Sequence, residues 1–250
     1  EVIVPPENSQ KTMELGMKHS PEFACLPLKV NLGNFIEALN KGAEYIVMGG
    51  GVGPCRFGYY GEVQRDILKD LGYDFKLIAL EQNLMLTYRR LKNLFGGFPL
   101  KKIIKAGRLA WNKIKAMDHI HELVLKRRPR EEVSGSVDKL YQEFLSKLDQ
   151  TMSVDSIKKY EKQYQDMLLD TKGKFKRGRE IKVGLVGEIY VVLEPFTNLN
   201  IEKKLGKLGV TVEREIYLTN WILNFLNLNK EAQKIEKAAK PYLESFVGGH

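Results

Sequence analysis

The chain carries only two cysteines, and both stand in turns marked by glycine or proline that lead into helical patterns. Cys55 ends the run Gly49-Gly50-Gly51-Val52-Gly53-Pro54-Cys55-Arg56. The apolar stretch Tyr45-Ile46-Val47-Met48 before it reads as a buried strand, and Val63, Ile67, Leu68 and Leu71 give helical spacing to Gly61–Leu71 after it. A helix N-terminus offers free N–H groups and the positive end of the macrodipole, and Arg56 adds a full charge, so an anion beside Cys55 is stabilised. Thiolate sulfur is the form that metals and electrophiles take.

Cys25 has a similar setting. Phe23-Ala24-Cys25 reads as a short strand end, Pro27 punctuates it, and Leu32, Phe35, Ile36 and Leu39 outline a helix closed by Gly42. In a parallel sheet the two cysteines face one another across the carboxyl ends of neighbouring strands, the usual ligand edge of an open α/β sheet. Cysteines acting as small buried hydrophobes, or joined as a disulfide, are the alternatives that the residues leave open. Arg56, Tyr59 and Tyr60 then form a polar and aromatic shell beside Cys55, while Glu188 and Tyr190 are expected just past a strand of a second domain, lining an interdomain cleft or capping the following turn. The glycine-rich run is not a dinucleotide fingerprint, because Cys55-Arg56 takes the place of its third glycine.

The segments Ser20-Pro21-Glu22-Phe23-Ala24-Cys25-Leu26-Pro27-Leu28-Lys29 and Gly53-Pro54-Cys55-Arg56-Phe57-Gly58-Tyr59-Tyr60 carry a resemblance, joined by Val183-Gly184-Leu185-Val186-Gly187-Glu188-Ile189-Tyr190 with Glu194-Pro195-Phe196 and Asn198. In this order the chain resembles the D-component-related family of 2-hydroxyacyl-CoA dehydratases, in its activase-associated branch. The resemblance implies an iron–sulfur protein of anaerobic metabolism, with a 4Fe-4S cluster for which Cys25 and Cys55 match two ligands and further ligands come from outside this segment. It also implies one-electron transfer to a CoA thioester, an ATP-dependent activator protein as electron donor, and a homologous subunit or a second copy as partner. The family's second domain continues past Val-Gly-Gly-His, so the chain, which stops at Val247-Gly248-Gly249-His250, is expected to lack part of it. A partner-binding scaffold without a cluster is the alternative function.

The elements that must position these residues follow an α/β rhythm. Glu1 to Glu81 alternates strands (Val2–Val4, Tyr45–Met48, Phe75–Leu80) with helical patterns (Lys11–Met17, Leu32–Asn40, Gly61–Leu71), which signals a parallel sheet with crossover helices. Gln82 to Glu180 is helical, with Ile103, Ile104, Leu109, Ala110, Ile114 and Met117, then Leu140, Phe144 and Leu148, on amphipathic faces. Strands return at Ile181–Val186 and Val210–Tyr217 around a helix at Ile201–Leu208. The expected architecture is therefore two Rossmann-like or flavodoxin-like domains, residues 1–81 and 181–250, joined by a helical insertion, 82–180, with the second domain incomplete.

At 250 residues and 43% hydrophobic, the chain can bury a substantial core. Two cysteines in that length argue against a disulfide-built secreted scaffold and for a reducing compartment. No stretch approaches the roughly 20 apolar residues of a membrane span, and Glu1-Val2-Ile3-Val4-Pro5-Pro6 has no signal-peptide character. A cytoplasmic protein with no membrane partner is the expectation. The net charge of +9 is concentrated in Gln82–Lys182, which holds 24 Lys and Arg against 12 Asp and Glu. Lys126-Arg127-Arg128-Pro129-Arg130 raises nucleic acid as a minor reading, behind solvated helix faces, an acidic partner or the phosphates of coenzyme A. His119 and His121, two apart, point to different helix faces and read as surface or packing residues; Trp111 and Trp221 read as core.

Overall fold

A computed structural model describes residues 2–50, 55–80, 84–94, 97, 99–173, 178–226, 228, 234 and 237–238. Among them the chain is a mixed helix and strand protein with two small parallel sheets of two strands each. It divides into two compact units, Glu1–Pro99 and Leu100–His250. None of the described helices is long and apolar enough to cross a membrane.

The first unit contains α1 (Gln10–His19), α2 (Leu26–Asn40), β1 (Tyr45–Gly49), α3 (Tyr60–Asp70), β2 (Lys76–Leu80) and α4 (Leu84–Leu94). β1 and β2 pair in parallel, Tyr45 opposite Lys76 through Gly49 opposite Leu80, with α3 as the crossover. Ile46 and Met48 on alternate positions of β1 turn inward to Leu32, Ile36, Leu39, Leu68 and Phe75, or to Leu28 and Tyr60.

Helices α1 and α2 meet backbone to backbone. A Cβ on Gly16 would stand 1.7 Å from the Lys29 carbonyl oxygen, and one on Gly33 would stand 2.0 Å from that of Thr12. The two glycines thus lie at reciprocal points of one crossing that no larger residue could enter. Thr12 reinforces it by donating from its hydroxyl to the buried Glu37 carboxylate at 2.7 Å.

The second unit begins with α5 (Leu100–Arg127), α6 (Ser136–Gln150) and α7 (Val154–Leu169), packed around Ala116, Ile120, Val124, Phe144, Leu148, Ile157 and Leu168. Tyr164 meets Phe144 edge-on at 5.5 Å. The Glu131 carboxylate accepts from the Gly135 and Val137 amides at 2.7 and 3.1 Å and so satisfies the start of α6. Then come β3 (Ile181–Gly184), α8 (Ile189–Leu193), α9 (Ile201–Lys207), β4 (Val210–Glu213) and α10 (Leu218–Phe225), with β3 and β4 parallel.

Four sequence expectations are corrected. Val2–Val4 is not a strand: Val2 and Val4 are exposed, with no face to bury, and Pro5-Pro6 follows. Phe23–Cys25 is a turn rather than a strand end, closed by the Ala24 amide donating to the Pro21 carbonyl at 3.0 Å, with Phe23 88% exposed. The strands expected to run to Val186 and Tyr217 stop at Gly184 and Glu213, where the ladder ends. Trp111 and Trp221 are half-buried, Trp221 stacking on Phe225 at 5.2 Å, so neither is part of the fully buried core. Gly51–Pro54 of the glycine-rich turn and Val247–His250 lie outside the described residues.

The crossing glycines give a direct test in urea denaturation. Gly16→Ala or Gly33→Ala should cost about 2 kcal/mol or more, because the methyl overlaps a backbone carbonyl. Gly107→Ala, in a helix interior where nothing lies within 4 Å of the new Cβ, should instead stabilise by roughly 0.5–1 kcal/mol.

Candidate functional site

Both cysteines are free thiols placed at the first turn of a helix. Cys25 occupies the position just before α2, where its carbonyl accepts from the Leu28 amide at 3.1 Å. Pro27 in the first turn is compatible with that start, since its missing N–H has no intrahelical partner to lose. The helix thus begins at Leu26, immediately after the sulfur-bearing residue.

Cys55 follows β1 and opens a short 3-10 turn, Arg56–Tyr59, that runs directly into α3. The Gly58 amide donates to the Cys55 carbonyl at 3.2 Å. Phe57 packs over Gly49 at the carboxyl end of β1, where a Cβ would stand 3.2 Å from its ring, and meets Tyr60 edge-on at 5.4 Å. The strand end, the turn and the first residue of α3 are thereby locked together.

Two links join the segments that carry the cysteines. The Cys25 sulfur and the hydroxyl of the buried Tyr60 are hydrogen-bonded, and the Arg56 guanidinium donates to the Phe23 carbonyl at 3.3 Å. One turn further along α3, buried Gln64 donates to the Leu28 carbonyl at 3.2 Å. Cys25 is half-buried against Leu28, Met48 and Tyr60, Cys55 is exposed, and Tyr59 faces solvent. The expected shell around Cys55 is accordingly divided: Tyr60 serves Cys25, whereas Arg56 braces the turn before it. If Cys25 is a thiolate, the phenol must be the donor, which spreads the sulfur's charge. Among the described residues no group of three or more His, Cys, Asp or Glu is close enough to hold a metal ion.

Glu188 and Tyr190 belong to the second unit. Glu188 precedes α8 and its carboxylate accepts from the Val191 amide at 3.0 Å, the capping role weighed from sequence. Tyr190 is half-buried within α8.

The sequence reading did not foresee a buried charge network in this unit. Arg214, whose side chain is 2% exposed, donates to the Glu202 carboxylate at 2.6 Å, lies 3.1 Å from His121 Nδ1 and stacks over the Tyr217 ring at 4.8 Å. His121 Nε2 is 3.3 Å from the second Glu202 oxygen, and its ring stacks on Tyr141. A guanidinium has only donors, so His121 Nδ1 must accept and Nε2 carries the proton toward Glu202. Arg128 pairs with Asp138 at 2.8 Å and reaches the Glu202 carbonyl at 3.4 Å. Asp118 accepts from the Thr219 amide and hydroxyl at 2.8 and 2.7 Å.

The surroundings set the ionisation of this network. Burial alone would raise the Glu202 carboxyl, but the hydrogen bond from His121 and the charges around it offset this and hold it below the usual carboxylate range. Burial pushes the Tyr141 and Tyr217 phenols up to about 12. Every charged member finds its partner within the protein, so the network reads as a tie between α5, α6, α9 and β4 rather than as a site for a ligand. Three cations of the basic run are partnered too: Lys126 pairs with Glu122 at 2.5 Å, Arg128 with Asp138 and Arg130 with Glu180 at 3.4 Å. His119 pairs with Glu161 at 2.7 Å. No local sequence signal announces the network, because His121 stands 93 positions before Arg214, although Glu202 and Arg214 come from consecutive elements; an Arg two residues from apolar Val212 at a strand end is the only hint.

Breaking the tie should be costly and pH-dependent. Glu202→Gln should destabilise the protein at neutral pH by about 3 kcal/mol, the cost of leaving a buried cation unpaired. A carboxyl held low in the folded state stabilises above its unfolded pKa and loses that contribution as pH falls through its folded one. Urea midpoints of wild type and variant should therefore converge as the solution is acidified below the ordinary carboxylate range; a gap independent of pH would contradict the assignment. In comparisons with known proteins, no family model, no curated protein and no solved structure matches this chain.

Proposed function

We propose that the chain is a component of an iron–sulfur protein of the 2-hydroxyacyl-CoA dehydratase type, with Cys25 and Cys55 as two of the cluster's thiolates. The observation that carries the reading is the double link between the cysteine-bearing segments, Cys25 to Tyr60 and Arg56 to the Phe23 carbonyl. Each cysteine is the residue from which a helical turn starts, the end at which backbone N–H groups and the dipole favour negative charge. The donor set fits half of a four-thiolate site, the remainder coming from outside the pair.

When bound, such a cluster accepts and passes on single electrons. The chain's own residues do the rest. The Tyr60 phenol donates to the Cys25 thiolate and withdraws charge from it, which raises the potential of a bound centre. Arg56 contributes positive charge beside Cys55 while fixing the turn that carries Cys25. The half-buried position of Cys25 limits water on its side, and the exposure of Cys55 leaves the other side open to a further ligand or a partner. In this reading each parallel pair is the nucleus of a Rossmann-like or flavodoxin-like domain, the electron donor is an ATP-dependent activator, the substrate is a CoA thioester, and the compartment is the reducing cytoplasm.

A second reading is a partner-binding scaffold that holds no cluster. It is favoured by the packing of Cys25 against Leu28 and Met48 and by its engagement with Tyr60, the surroundings of an ordinary structural cysteine.

Anaerobic reconstitution with iron and sulfide, followed by quantitation of both, decides between them. Iron and acid-labile sulfide should be retained by the wild type and fall to background in Cys25→Ser and in Cys55→Ser. Tyr60→Phe should keep its iron while its midpoint potential moves to a more negative value. Background iron in the reconstituted wild type would overturn the cluster reading.

A further inference from the structure

Helix α5 carries two apolar faces, and only one of them is used by its bundle. Ala116, Ile120 and Val124 pack into the core with α6 and α7. At 100° per residue, Leu100, Ile103, Ile104, Gly107 and Trp111 form a second stripe, roughly 160° around the helix from the first. Leu100 is 53% and Ile104 61% exposed, Ile103 and Trp111 are half-buried, and Gly107 is open on its Cβ side with nothing within 4 Å. Lys101, Lys105 and Arg108 flank the stripe and are exposed.

The charge here is one-sided. From Leu100 to Met117 α5 carries six Lys and Arg and no Asp or Glu. A second copy of the chain would bring the same positive face and be repelled. The apolar stripe gives the groove a need that phosphate backbones do not meet, which sets nucleic acid aside. Gly107 decides between a helix and a lipid surface. A mid-helix glycine weakens the helix relative to alanine, and none of the described residues fills the notch it leaves. Between Ile104 and Trp111 that notch allows a second helix to approach closely, as Gly16 and Gly33 allow α1 and α2 to approach.

We propose that the first three turns of α5 are a docking face for an acidic amphipathic helix of a partner protein, seated on the Leu100–Ile104–Gly107–Trp111 stripe with its carboxylates against Lys101, Lys105 and Arg108. This face is independent of the cysteine reading. The test uses the full chain and a fluorescently labelled synthetic helical peptide with leucines at every third or fourth position and flanking glutamates. A scrambled peptide of the same composition, phosphatidylglycerol vesicles and single-stranded RNA serve as competitors.

The amphipathic peptide should bind, and more weakly as salt is raised. Gly107→Leu should weaken binding by at least about tenfold while raising the urea midpoint. Ile104→Ser and Lys101→Glu with Lys105→Glu should weaken it as well, all without change in reconstituted iron. Equal binding of the scrambled peptide, unaltered binding by Gly107→Leu, or tighter binding of the vesicles or the RNA would each overturn the assignment.

Discussion

Parallel pairing is the constraint from which the rest of the molecule follows. Two parallel strands cannot be joined by a tight turn, so the chain must leave the carboxyl end of the first strand, cross over and return to the amino end of the second. In the first unit β1 is left through the segment that carries Cys55, and α3 makes the crossing. In the second, β3 is left through the segment that carries Glu188, and α8 and α9 make it. The residues with chemical character therefore collect where helices begin beside strand ends, and each inherits the field of a helix start. Cys25 reaches the same kind of position by another route, since α2 is fixed by its close crossing with α1 and presents its own N-terminus to Tyr60.

What the sequence made legible was the part governed by short-range periodicity. Tyr45–Met48, Phe75–Leu80, the helices around Leu32–Asn40 and Gly61–Leu71, and the helical middle segment all follow from the spacing of apolar residues, and the structure differs from the reading at these elements only in their ends. Where the reading went astray, isolated β-branched residues lacked a face to bury: Val2 and Val4 have strand-forming side chains but remain in solvent. Phe23 failed for a related reason, since an apolar residue between Pro21 and Pro27 belongs to a turn that no ladder can incorporate.

The site was legible to the extent that it depended on local cues. Glycine, proline and arginine around the two cysteines pointed to helix starts. That Tyr60 reaches the Cys25 sulfur rather than Cys55, its nearer neighbour in sequence, is set by the docking of α3 on α2 and has no local signature. The His121, Glu202 and Arg214 network is an extreme case, in which both contacts of His121 span a long separation and the burial that makes the charges matter exists only after the elements have packed. The basic run from Lys126 to Arg130 is the converse, a conspicuous local pattern in which Lys126, Arg128 and Arg130 are paired with Glu122, Asp138 and Glu180.

Helix α10 has no side-chain cap from the residues that precede it; its first turn is satisfied by Asp118, reaching over from α5 about a hundred positions earlier in the chain. During synthesis the aspartate emerges long before its partner, so α5 can form early while its carboxylate waits in water. The start of α10 is therefore completed by a residue of the bundle, so its first turn is satisfied only where α5 is already in place.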